Sequence, residues 1–250
     1  MRWSIHWIAA LAMMGASVSP ALAACNDDPA PGVNWFSCDL AEADLAGASL
    51  EEALLSRSVL DGADLSGAHL RRADLANVSA VGADLSGTNL SRARLGSSDL
   101  TDADFTGSDM RGVQANRATL NGARLDRVLG TDMGLDSTQM RGASIEDADM
   151  AGVSLEQAHL RGLHAREADL SGGALSGADL EGASLAGARL KDADLGGASL
   201  VDTDLTGADL SGADLRGADI SGARLDKASL GNALWADGQR CRPGSTGSCE

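Results

Sequence analysis

His159 and His164, five residues apart, are the first side chains in this 250-residue chain that invite a chemical reading. A metal ion needs several donors that converge on one point, and imidazole is a good one. No cysteine lies near this pair and His69 is distant, so both are read as solvated surface histidines and no metal site is expected. Serines are abundant, but none stands in a nucleophile-elbow pattern. The glycines recur at fixed intervals and do not form a strand-to-helix phosphate loop. These residue types predict no enzyme and no cofactor. Aspartate is the remaining candidate, because Asp44, Asp64, Asp84 and Asp104 are spaced by twenty. Were twenty residues one turn of a coil, these carboxylates would stack as a ladder that a cation could use. The competing reading is that each Asp caps its own backbone beside a turn. The second is favoured, since a single file of carboxylates offers no converging ligand set.

The element that would position such a ladder is written in a period of five. From Leu40 to Trp235 every residue whose number is a multiple of five belongs to one register of forty positions, of which twenty-nine are Leu. We call each such residue the centre of a five-residue word. Two places before the centre stand twenty-six Ala, one place before it sixteen Asp, and two places after it twenty Gly. On a helix, steps of five would spiral the leucines around every side; on a strand they would alternate between faces. They converge only if the chain turns a corner at every word. Four words then close a coil of twenty residues, and the next coil stacks on it. Gly, Asp and Asn suit such corners.

The exceptions support an inward pair in every word. Ala80, Ala115, Gly130 and Ala165 are too small for a core centre, and their partners two places earlier are Val78, Val113, Val128 and Leu163, each larger than the usual Ala. Volume lost at one inward position is returned at the other, as a close-packed interior requires.

The ends differ from this pattern. Residues 1–23 read as a secretory signal peptide: a positive start at Arg2, an apolar stretch too short to span a membrane comfortably, and a small-residue cleavage site at Pro20-Ala21-Leu22-Ala23. No second long apolar run follows, so no transmembrane segment is expected in the mature chain. The four cysteines form two close pairs, Cys25 with Cys38 and Cys241 with Cys249. An exported chain with even, paired cysteines suggests two disulfides. Leu22-Ala23-Ala24-Cys25 also fits a lipoprotein signal, which would place a lipid anchor on Cys25 instead. Residues 24–37 are expected to cap the first coil, with Trp35 and Phe36 as its lid. Trp235 and residues 236–250 are expected to close the other end. The repeats proper are assigned to 38–235.

The word A(D/N)LXX in one unbroken register resembles the pentapeptide-repeat family. The resemblance implies an all-β fold, a right-handed quadrilateral β-helix, here of about ten coils and roughly 48 Å long at about 4.8 Å per coil. The caps PAPGVNW and WADG…C…GS…C look like those of exported members, which implies disulfides at both ends.

Function is less legible. The reading is an exported scaffold in the periplasm or outside the cell, its partner an unknown envelope protein or a second copy of itself. The alternative comes from the family: its quinolone-resistance members are acidic rods that mimic DNA and occupy gyrase. A net charge of −16 fits that idea; the signal peptide and the Leu centres argue against a nucleic-acid-related partner. Locally, 39–104 and 167–230 each hold twelve acidic and five basic residues, whereas 105–166 holds eight and seven. The same middle stretch contains VLGTDMGLDSTQM, where Leu129, Gly130, Met133 and Met140 disturb the pattern. These four are the candidate partner patch, with a bulge around Gly130.

Overall fold

The structure is a computed structural model and describes residues 25–250. The signal-peptide assignment, 1–23, lies outside the described residues. From residue 31 to 235 each word makes a tight turn on the two residues after its centre, and the pattern is never interrupted. The residue before each centre forms a single parallel bridge with the residue twenty further on, from Asn34↔Leu54 through Asp214↔Leu234. A twenty-residue coil therefore has four turns, and the forty words from Leu40 to Trp235 make ten coils. The sides are too short to hold regular strands.

Hydrogen bonding explains how a chain that turns so often stays satisfied. The N–H groups of Leu65 and Gly67 donate to Asp84 and Ser86 of the next coil, both at 2.8 Å. The Ala68 N–H closes the turn onto Leu65 (2.9 Å), and that of His69 reaches back to Ala48 (2.8 Å). The fifth N–H, on Ser66, has no backbone partner and donates to the Asp64 carboxylate at 2.9 Å. The four backbone bonds recur along the coil with few changes, and the carboxylate cap recurs in the sixteen words that carry Asp before the centre.

The turns need a left-handed residue two places after each centre. Where it is not Gly, the residues include Arg57, Arg72, Glu52, Asp102, Asn77 and Ser97, all near φ +60°, and no β-branched side chain is found there among the described residues. Asp, Asn and Arg accompany Gly there in the sequence, and Glu also serves; stacked side chains at this position can meet across one coil, as Arg72 does Glu52 at 3.4 Å.

Leu centres and the residues two places before them fill one continuous core. Val78, Ala80, Val113, Ala115, Val128, Leu163 and Ala165 are all 2% exposed or less, and Gly130 is buried with them. Small polar residues also occupy inward positions. Ser58, Thr88, Ser98, Thr138 and Thr203 each donate their hydroxyl to a backbone carbonyl, which accounts for these serines and threonines without chemistry.

Both ends carry a disulfide, Cys25–Cys38 and Cys241–Cys249, with Cα separations of 5.4 and 4.8 Å. The stacking begins earlier than residue 38: Gly32, Trp35 and Ser37 already donate to Glu51, Leu54 and Ser56 of the next coil. Trp35 is buried as expected, but Phe36 is not a lid. It sits on the turn, 44% exposed, with the Arg57 guanidinium 5.7 Å from its ring centre. Being one place after a centre, it must point outward. At the other end the chain doubles back, and Ser229↔Thr246 and Leu234↔Arg240 pair antiparallel. This strap covers the words centred on Leu230 and Trp235 and leaves Ile220, Leu225 and Trp235 partly buried at the core's edge.

Candidate functional site

The four residues proposed as a patch do not share a surface. Met133 and Met140 are 1% exposed and Gly130 is buried; of the four only Leu129 faces solvent, at 49%. No bulge exists at Gly130, where turns and bridges continue in register. The physical reason is packing. A Cβ on Gly130 would lie 2.5 Å from Met133 Sδ, 3.3 Å from Met150 Cγ and 3.3 Å from Val128 Cγ1. Met133 occupies the inward position of the word centred on Leu135 and fills the room that Gly130 vacates. The signal was in the numbering, since 133 is two places before a centre.

The aspartates are spent on the backbone. The carboxylates of Asp39, Asp74, Asp84, Asp104, Asp169 and Asp204, among others, accept the N–H two residues on, at 2.8–3.2 Å. That is the Asx geometry of a turn-capping residue. The ladder Asp44, Asp64, Asp84, Asp104 is real as a stack of bridges, and Arg124 ends it, 3.6 Å from Asp104. Among the described residues no group of three or more His, Cys, Asp or Glu could hold a metal ion. His159 and His164 stack with Gln139 and Ser144 respectively, on neighbouring sides of the coil.

In five of the words that lack the usual Asp, a residue one coil earlier replaces it, which the sequence reading did not see. Ser79, Gly134, Gln139, Ser144 and Ser154 stand in the Asp position of their words. The orphan N–H groups of Val81, Asp136, Arg141, Glu146 and Glu156 donate instead to Asp61, Asn116, Asn121, Asp126 and Asp136, each twenty residues earlier. Asp61, Asp126 and Asp136 also accept the hydroxyls of Ser79, Ser144 and Ser154. Four of these five substitutions fall in 116–156, so the irregular middle is a rewired scaffold. Replacing Asp126 by Ala strands the Glu146 N–H and the Ser144 hydroxyl and should cost about 1–3 kcal/mol, read by urea unfolding; Asp126→Asn should restore most of it.

The capping bonds also set the acid limit of the fold. The Ser221 hydroxyl and then its N–H hold the Asp219 carboxyl below its ordinary 3.8. Asp109 and Asp214 are held down first by the side chains of Arg111 and Arg216, against a partial burial that opposes them. At Asp64 the Ser66 hydroxyl and N–H outweigh desolvation; at Asp104 burial is the largest single influence and pushes upward, yet Thr106 and the Arg124 guanidinium together still bring the carboxyl down. A carboxyl whose folded pKa is depressed adds stability above its unfolded value and loses it as pH falls through the folded one. The melting temperature should therefore stay flat from pH 7 to about 4 and fall below that, as thermal melts across the range would show.

Comparisons place this geometry. The family model for pentapeptide repeats matches in eight copies, with matches at 38–77, 68–107, 88–127, 138–173, 166–200 and 193–232 among the residues covered. The chain is a pentapeptide-repeat protein. HetL, a pentapeptide repeat protein involved in heterocyst differentiation regulation from the cyanobacterium Nostoc, is 31% identical, with 84% of this chain and 92% of HetL covered at a TM-score of 0.56. Rfr23, a pentapeptide repeat protein of the cyanobacterium Cyanothece 51142, is 26% identical over 63% of this chain and 90% of its own, at a TM-score of 0.20. QnrB1, a plasmid-mediated fluoroquinolone resistance protein, is 19% identical over 64% of this chain and 88% of its own, at 0.45. Among curated protein sequences none matches. No helix among the described residues is long and apolar enough to cross a membrane.

Proposed function

We propose that this pentapeptide-repeat protein is an exported, non-catalytic scaffold of the bacterial envelope that binds a protein partner through the outward side of its coils. Its coil is taken as the right-handed quadrilateral β-helix of the family, with 24–37 and 236–250 as end caps. The observation that carries the proposal is how the sequence is spent. Inward positions fill the core, most aspartates cap turns, and the two disulfides at the ends suit an oxidising compartment. What is left free to vary is the surface, as in other solenoids that bind partners. Leu129, half-exposed between Asp109 and Asp149 on one side, is the outward residue of the middle stretch to test first.

A DNA-mimicking rod has the net charge in its favour. The distribution opposes it, because Arg94, Arg124, Arg189 and Arg224 each stand one coil beyond an Asp at 3.2–3.6 Å and break the acidic files. Cell fractionation with crosslinking in the intact envelope separates the two readings. Recovery outside the cytoplasm with a crosslinked protein partner is expected; a purely cytoplasmic protein overturns the proposal.

A further inference from the structure

The described residues carry nineteen of the twenty Lys and Arg and all thirty-six Asp and Glu, a net of −17. On this acidic rod one corner is basic. Arg71, Ser91 and Arg111 occupy equivalent turn positions on three successive coils, and Arg92 adjoins Ser91. These four residues line a depression of about 330 Å³. Ser91 makes the opening: a short side chain stands between two arginines of one column, whose backbones are about 10 Å apart, two coil spacings. The Ser91 hydroxyl is turned to Asn89, 2.7 Å away, and so does not fill the gap. Arg111 is anchored by Asp109 at 2.6 Å, which fixes one wall. Arg71 and Arg92 have no ion pair among the described residues.

We propose that this corner is a binding site for a phosphate group or a similar tetrahedral oxyanion. The forks of Arg71 and Arg92 match the oxygens of such a group, while Arg111, its own fork engaged by Asp109, holds one wall; a desolvated ion is not required because the cleft is open to water. The proposal does not depend on the scaffold reading above. Its test uses the mature protein, inorganic pyrophosphate as the free probe, and phosphatidic acid–phosphatidylcholine vesicles as the surface-bound one. Saturable pyrophosphate binding by calorimetry is expected, weakened about tenfold or more in Arg71→Ala/Arg92→Ala with an unchanged thermal melt. An Arg141→Ala control on another corner should bind as the parent does. Vesicle binding that is also lost in the double variant assigns the phosphate to a headgroup, and binding of pyrophosphate alone assigns it to a soluble ligand. Equal binding by parent and double variant, or no saturable binding of either probe, overturns the site.

Discussion

Replacing Met133 by Ala should destabilise the protein by about 2–5 kcal/mol, whereas Leu129→Ala should stay within about 0.5 kcal/mol. The two residues are four apart and look alike in composition. Leu129 stands one place before a centre and points to water; Met133 stands two places before one and points inward. Truncating Met133 would open the cavity that Gly130 already lacks the atoms to fill. Gly130→Ala alone should cost about 1–3 kcal/mol by overpacking, because its Cβ would fall 2.5 Å from the Met133 sulfur. The double variant should cost less than the sum, since the new methyl then occupies space the methionine has left. Urea unfolding of the four proteins closes this cycle, and additive losses would show that the two side chains do not share one space.

Trp35→Ala should cost about 3–5 kcal/mol, the largest single effect we expect at the ends. Trp35 is 2% exposed and belongs to the core cluster, and the Ser58 hydroxyl donates to its carbonyl at 2.6 Å. Its indole Nε1 is buried without a hydrogen-bond partner. Trp35→Phe, which keeps an aromatic ring and deletes that orphan donor, should therefore lose no more than about 1 kcal/mol. Phe36→Ala removes a ring that lies on the turn, and its melting temperature should stay close to the parent's. A comparable loss at Phe36 would mean that the two aromatic residues cap the coil together.

The coil was legible because its rule is local and repeated. One period fixes which residues face inward, and size compensation at Ala80 with Val78 or Ala165 with Leu163 could be read from letters alone. The same rule places Met133 and Met140 in the core; reading them as a patch treated an unusual word as an exposed one. Phe36 misled for a similar reason, since an aromatic beside the first coil suggests a lid, yet its turn position directs it outward. The relay from Asn116 to Asp136 and on to Glu156 was hidden for a different reason. It joins residues twenty apart where Asp is missing at 134 and again at 154, and only the stacking shows which N–H is orphaned. The basic corner was equally hidden, because Arg71, Ser91 and Arg111 are unremarkable until twenty residues become one coil.

That interval is the centre of the account, and crosslinking tests it directly. Ser144 and His164 are bridged one coil apart, whereas Ser144 and Asp149 lie five residues apart on different sides. In a Ser144→Cys/His164→Cys variant, mild oxidation followed by peptide mapping should give a 144–164 disulfide, while Ser144→Cys/Asp149→Cys should remain as free thiols. Ready closure of the 144–149 pair with the 144–164 pair left open would contradict a coil of twenty residues.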